Sequence, residues 1–444
     1  MNYMDVIENP QNYDFTIESL GKANVSSPVK GRRFIDDDDR ISFAIKVHEL
    51  RKLIASGHPI PSFPKAGPRE RIFHDPSWTR AGIVTCGGLC PGLNDVIKNL
   101  VNVLALEYKV QYIYGIRYGY QGLSPQFHHQ PMELNPDAVD SIHEDGGTIL
   151  GSSRGQQDIG EMVDTLQRMN INMLFCIGGD GTLSGAGAIA KEIKKRKLSI
   201  SVIGVPKTID NDLSFVERTF GFESAVYASA DIITAAHNEA KGAYHGIGLV
   251  KLMGRDSGFI ASYASIANSV VNFCLIPEVE FDLYGENGLL RALERRFDQG
   301  KGHAVIVAAE GAGQHLFQDG QIGKDASGNI RKHDIGVFLR DEIVKYFDGK
   351  SKETTVKYFD PSYYIRSVAA EGTDAIFCHL LAENAVHAAM AGKTNMVIGF
   401  WSNTYTHVPI SLATFERRKV NVDGELWKAV MSITQQEKYF QSDG

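Results

Sequence analysis

The stretch MLFCIGGDGTLSGAGAIAKEIKKRKLSISVIGV (173–205) decides the fold. It opens on an apolar run, breaks at Gly178 and Gly179, continues through a helix-length segment with charges opposite an apolar stripe, and closes on a second apolar run. A short apolar run, a helix and another short apolar run are the signature of a strand–helix–strand unit, from which parallel sheets are built.

Outward from it the same alternation recurs. AGIVT (81–85), YIYGI (112–116), GIGLVKLM (246–253), VNFCLI (271–276), AVIVAA (304–309) and MVIGF (396–400) read as strands, and NDVIKNLVNVLALE (94–107) and ENGLLRALERRF (286–297) as helices. The predicted class is α/β with mainly parallel sheets, and 444 residues that are 43% hydrophobic suffice for one large or two medium cores. Residues 1–79 differ: they are polar, with an acidic run from Asp36 to Asp39 and prolines at Pro59, Pro61, Pro64 and Pro68. They read as an extension outside the catalytic core, of which ISFAIKVHELRKLI (41–54) has helical spacing and packs on the body or on a neighbouring subunit, the remainder reading alternatively as a tethered linker.

A formal net charge of −7 argues against a general nucleic-acid or anionic-membrane binder, so an anionic substrate requires a local basic cluster. The five cysteines, Cys86, Cys90, Cys176, Cys274 and Cys378, form no CxxC pair and suggest neither a disulfide framework nor a zinc site. No run approaches the roughly 20 apolar residues of a membrane span, and MNYMDVIENPQNYDF has no signal-peptide pattern. The expectation is a cytoplasmic protein with no membrane or nucleic-acid partner.

In open α/β sheets ligands sit beyond the carboxyl ends of the strands. TCGGLCPGLN (85–94) places adjacent glycines after a strand and a Pro-Gly pair before a helix, which serves either as a phosphate seat of bare N–H groups or as a packing device. Cys86 and Cys90 within it read as small packing residues. IGGDGTLSGA (177–186) repeats the pattern with Asp180 beside the turn, a carboxylate suited to Mg2+ or, alternatively, to capping the helix. VPKTIDNDL (205–213) presents Lys207, Thr208, Asp210 and Asp212; in an extended segment the two aspartates point the same way and raise one another's pKa, as a general base requires. The plain reading of that segment is an acidic turn. Arg154 in GGTILGSSRG (146–155), Arg255 in KLMGRDSGF (251–259), Lys357, and Arg366 in DPSYYIRS (360–367) are scattered cations that either converge on an anion or form surface ion pairs.

Taken in order, GGLCPGLN (87–94), GGTILGSSR (146–154), GGDGT (178–182), PKTIDND (206–212), FGFESA (220–225), KLMGRDSG (251–258), AAEG (308–311) and DPSYYIR (360–366) resemble the motif set of the phosphofructokinase A family over about residues 80 to 400. The forms KLMGRDSGFIA and DPSYYIRS are most similar to its long-chain subgroup, found in trypanosomatids and some bacteria. The resemblance implies transfer of a phosphoryl group, from ATP with Mg2+, to the 1-hydroxyl of fructose 6-phosphate. It also implies two doubly wound lobes with the active site in the cleft, a homotetramer and allosteric control. The lobes are expected at 80–221 with a return at about 365–415 for the donor, and at 222–364 for fructose 6-phosphate, followed by a tail at 416–444.

Position by position, Gly88, Arg154, Gly155, Gly179, Asp180, Gly181 and Thr182 are implied to hold the donor, with Asp180 on the metal. Thr208, Ile209 and Asp210 are implied to face the transferring group and the sugar hydroxyl, Asp210 as base; Arg255 is to stabilise the developing charge. Met253, Gly254, Arg255, Glu310, Lys357, Tyr363, Tyr364, Ile365 and Arg366 are implied to bind the sugar phosphate. Short bacterial relatives instead have glycine at Lys207, arginine at Gly246 and Lys357, and histidine at Tyr363. Gly181 favours ATP, because pyrophosphate-using members resemble this chain at Lys207 but carry an aspartate at 181 that crowds a nucleotide α-phosphate; Lys207 keeps pyrophosphate open. GGDGT also resembles the turn of NAD and lipid kinases. A non-catalytic subunit is expected to lose Asp180, Asp210 or Asp212, and all three are present.

Overall fold

The structure, a computed structural model, describes residues 3–317, 323 and 331–440. The strands of its two large sheets are, in chain order, β1 (Arg80–Thr85), β2 (Tyr112–Ile116), β3 (Met132–Leu134), β4 (Met173–Gly178), β5 (Ser201–Pro206), β6 (Gly246–Leu252), β7 (Phe273–Leu275), β8 (His303–Ala309), β9 (Thr355–Phe359), β10 (Met396–Trp401) and β11 (Thr404–Pro409). The helices used below are α1 (Leu93–Asn102), α2 (Asp180–Lys195), α3 (Phe222–Lys241), α4 (Gly372–Met390) and α5 (Glu425–Thr434). The chain divides into two units, residues 1–221 with 369–417, and residues 222–368 with 418–444.

In the first unit the sheet order is β11-β10-β5-β4-β1-β2-β3. Its five inner strands are parallel, while β3 and β11 close the two edges antiparallel. The apolar runs explain the parallel core: every residue of β4 and β5 is buried, as strands covered on both faces must be. In the second unit β7-β8-β6-β9 are all parallel.

Residues before Arg80 belong to the first unit and supply part of its core. Phe15, Phe43 and Phe63 are buried around Phe215 and Trp401; the Phe43 and Trp401 rings stack at 4.9 Å, and the Trp401 indole N–H donates to the Phe43 carbonyl at 3.1 Å. Truncating one such buried aromatic typically costs about 3–5 kcal/mol. The helix expected over 41–54 runs over Val47–Ser56 instead, because Arg40–Ser42 pairs as a strand with Ser62–Pro64. In the second unit the C-terminal segment is built in: after α5, the Gln436 amide bonds both the N–H and the carbonyl of Cys274, and Tyr439 is buried. All five cysteines are free and buried, and no helix among the described residues is long and apolar enough to cross a membrane.

Candidate active site

The first group of candidate residues lies at the carboxyl ends of β1, β4 and β5. After β1 the chain turns through Gly87 and Gly92, both with positive φ; at Gly92 an added Cβ would lie 2.6 Å from the Cys378 sulfur. Glycine there lets the start of α1 approach α4. The Ser152 hydroxyl and the Gly87 N–H bond across to join this turn to the 146–155 loop. Arg154 and Gly155 in that loop are exposed, Gly155 with φ of 99°. Burial pushes the Cys86 thiol up to about 12 and the Cys90 thiol well above its ordinary range, so both are neutral packing groups.

After β4 the backbone enters α2 at Asp180, with Gly179 as N-cap and no side-chain cap. Asp180 is therefore the first residue of the helix and does not cap it. Its carboxyl is held above the usual range by burial, Arg417 opposing and Asp212 adding to the shift. A hard divalent cation takes carboxylate oxygens, waters and phosphate oxygens, and a half-buried carboxylate that ionises reluctantly beside a second one is a fitting donor for it. The Gly178 Cβ position is filled by the Thr182 side chain, and the Tyr120 hydroxyl donates to the Thr182 carbonyl at 2.7 Å, so the turn is fixed by its own packing. Gly181 is different: an added Cβ there meets nothing within 4 Å.

The segment after β5 corrects one expectation. It is not extended: Asn211 has φ of +52°, and its side-chain oxygen accepts from the Thr219 N–H at 3.0 Å. The left-handed residue turns the chain between Asp210 and Asp212, so their spacing of two does not set them on one strand face. The Thr208 hydroxyl donates to Asp212 at 2.8 Å and accepts from the Asp210 N–H at 3.2 Å, while Asp212 also lies 3.9 Å from Arg417. Asp212 thus acts on Thr208 and on the charge balance of Asp180, and Arg417, which no sequence motif marked, completes the set. The Ile209 side chain is buried, leaving its backbone as the part available to a ligand. Lys207 is 6% exposed and donates to the Gly88 carbonyl at 2.6 Å; burial lowers its pKa.

The second group lies at the carboxyl ends of β6 and β8 and just beyond β9. Gly254 takes φ of +127°, and a Cβ there would lie 2.5 Å from the Ser257 carbonyl oxygen. This tight turn presents Met253 and Arg255. The Glu310 N–H bonds the Leu252 carbonyl at 2.9 Å and the Gly311 N–H bonds the Gly254 carbonyl at 3.0 Å, so Glu310 and the 253–255 turn are tied side by side. Burial raises the Glu310 pKa, with Arg255 and then Lys251 opposing.

Lys251 anchors the third piece, pairing with Asp360 at 2.8 Å and Asp334 at 3.0 Å. Asp360 in turn accepts from the Ser362 N–H at the start of the short helix Ser362–Ile365. Tyr363 and Tyr364 are exposed, and the Arg366 guanidinium stacks over the Tyr363 ring at 4.5 Å. Ile365 is fully buried, so its side chain anchors the helix and is closed to a ligand. Lys357 is not brought to this group. It sits inside β9 in register with Gly248, five residues or roughly 16 Å short of Met253 at a strand's rise, with its ammonium 4.0 Å from Glu239.

A family model described as phosphofructokinase matches residues 80–389. The chain belongs to the phosphofructokinase family. It is 49% identical to the ATP-dependent 6-phosphofructokinase of Borreliella burgdorferi over 96% of this chain and 97% of that one. It is 44% identical to the protein of the same name from Amycolatopsis methanolica, with 96% of each covered, and 50% identical to that of Trypanosoma cruzi over 83% of this chain and 76% of that one. In fold it is similar to a pyrophosphate-dependent phosphofructokinase from Marinobacter aquaeolei, with TM-score 0.65 and 18% identity over 82% of this chain and 92% of that one. The doubly wound α/β lobes are those of the family.

Proposed function

We propose that this phosphofructokinase transfers the γ-phosphoryl group of ATP to the 1-hydroxyl of D-fructose 6-phosphate, giving fructose 1,6-bisphosphate and ADP, the committed chemistry of a glycolytic kinase. The observation that carries the reading is the near-full-length identity to bacterial relatives named ATP-dependent 6-phosphofructokinase, here with Asp180, Asp210 and Glu310 in place at strand ends.

The turn Gly179–Thr182, with Gly88, Arg154 and Gly155, is assigned to the donor phosphates, and Asp180 to a Mg2+ ion. When bound, that ion supplies positive charge to the phosphate oxygens. Asp210 takes the proton of the sugar 1-hydroxyl as the new O–P bond forms and the bond to ADP breaks; Thr208, braced by Asp212, fixes the turn that aims it. Arg255 offsets charge on the transferred group, and Glu310 receives sugar hydroxyls. Met253, Gly254 and the Tyr363–Arg366 segment complete the acceptor subsite, Arg366 taking the 6-phosphate. Phosphoryl transfer asks mainly for this alignment and charge stabilisation.

Gly181 supports ATP: outside the helix's own backbone no described residue lies within 4 Å of that Cβ position, so the space it spares is open to a ligand. Pyrophosphate is the second reading, through Lys207, yet the bond to the Gly88 carbonyl gives that lysine a structural task in the glycine turn. The reading also carries a homotetramer and effector control, to be checked by light scattering and by initial rates against fructose 6-phosphate. The deciding assay compares initial velocity with ATP and with pyrophosphate at saturating fructose 6-phosphate and Mg2+. The expected outcome is turnover with ATP and negligible turnover with pyrophosphate; the reverse selects the second reading.

A further inference from the structure

Among the described residues, one group of acidic and histidine side chains has ligand atoms close enough to share an ion: Glu107, Glu383 and His387, one ligand atom from each lying within 4.8 Å of the others. All three belong to the first unit, and none is among the groups assigned to phosphoryl transfer. Glu383 and His387 are one turn apart on the same face of α4, and Glu107 ends the π-helical turn Val103–Glu107 that follows α1.

His387 is 1% exposed. Its Nδ1 lies 2.8 Å from the Tyr108 hydroxyl, while its buried Nε2 has no hydrogen-bond partner among the described residues; the same holds for the buried Oε2 of Glu107. A buried imidazole whose Nδ1 is engaged by a neighbour has Nε2 left for a ligand, the arrangement by which outer partners orient ligating histidines. The Arg32 guanidinium binds both carboxylates, Glu107 at 2.8 Å and Glu383 more closely. It satisfies their charge and leaves the imidazole nitrogen unexplained.

We propose that Glu107, Glu383 and His387 bind a divalent transition-metal ion of the zinc type, and that Arg32 is a built-in competitor for the two carboxylates. One imidazole nitrogen and two carboxylate oxygens, with a fourth position open to water, suit zinc better than magnesium. Ligand atoms at about 2.0–2.1 Å from zinc stand about 3.3 Å apart in a tetrahedron, so closing this cluster takes a side-chain adjustment. Arg32 has 39% of its side chain exposed and can turn to water when the ion enters.

The test is calorimetric titration of Zn2+ into the full-length, chelator-treated protein in excess Mg2+, with Co2+ absorption as a readout of ligand geometry. One Zn2+ per chain at micromolar free ion, and tetrahedral Co2+ bands, are expected. Glu107→Gln and His387→Gln weaken binding by at least ~100-fold, beyond the loss typical of outer-shell partners. Arg32→Ala tightens it by about 5-fold or more, since it removes two ion pairs and one exposed pair already accounts for that much. Glu107→Gln alters a part-exposed side chain, so it decides the matter if His387→Gln does not fold. Absence of saturable binding, zinc retained in the ligand variant that folds, or unchanged affinity in Arg32→Ala overturns the proposal.

Discussion

The group of the first unit proposed for the donor and the group of the second proposed for the acceptor are built on the same plan, loops at the ends of parallel strands, but they are held together differently. In the first, contiguous glycine turns do the shaping, and Lys207, Thr208 and Asp212 are tied into them by hydrogen bonds within a few residues or to the next turn. In the second, three pieces far apart in sequence are joined by two backbone bonds from 310–311 to 252–254 and by the Lys251 ion pairs to Asp334 and Asp360. On the proposed assignment, the first fixes a turn that follows a phosphate chain closely, and the second sets cations and a buried carboxylate about a compact polar ligand. Their carboxylates share one property: Asp180 and Glu310 are both pushed up by burial, so each is costly to the folded state when ionised.

The comparison breaks most sharply at the base. Asp210→Ser is expected to lower kcat by ~100-fold or more with KM for both substrates within a few-fold, the scale of general-base removal; near-normal turnover in steady-state assays takes Asp210 out of that role. Next comes Glu310→Gln, expected to raise KM for fructose 6-phosphate by roughly 10–100-fold, the value of a hydrogen bond to a charged group, while leaving KM for ATP alone. An equal rise in both constants would mean that the two groups are not functionally separate. Gly181→Asp is expected to raise KM for ATP by about 10-fold, a like-charge cost beside a phosphate. Its melting temperature should change little, since outside the helix's own backbone an added Cβ finds no described residue within 4 Å.

The smallest effect is on stability. A carboxyl with a raised folded-state pKa favours folding while protonated, and that contribution is lost as pH rises through the raised value. The melting temperature of Glu310→Gln minus that of the parent should therefore grow from pH 4 to pH 7, reaching about 1–3 °C. A difference that shrinks over this range would contradict the buried, reluctantly ionised carboxylate.

The glycine turns were legible because the signal is local: a run of buried β-formers, then Gly-Gly, then a helix, as in MLFCIGGDGT. Its boundaries were less so. The apolar stripe is clear in GAGAIAKEIKKRK (185–197), whereas α2 starts at Asp180, since Gly181, Thr182 and Ser184 dilute the stripe until packing under the sheet supplies what propensity lacks. Helix α4 was missed because most of it is buried and it shows no polar face to read; α3, rich in alanine, was missed too. The turn at Asn211 was hidden by an alternation that also suits a strand, and the partnership of Asp212 with Arg417 spans some two hundred residues that no spacing rule covers. Residues 1–79 read as a polar extension, yet Phe15, Phe43 and Phe63 make them part of the first unit's core, a contribution of single aromatics that composition averages away.

The central claim is the chemistry itself, and the ³¹P spectrum of the purified chain incubated with fructose 6-phosphate, ATP and Mg2+ tests it most directly. Growth of the fructose 1,6-bisphosphate 1-phosphate resonance in step with ADP, dependent on both substrates, is the predicted result. ADP formed without that resonance, or phosphoryl transfer to NAD or diacylglycerol with none to fructose 6-phosphate, would contradict the account.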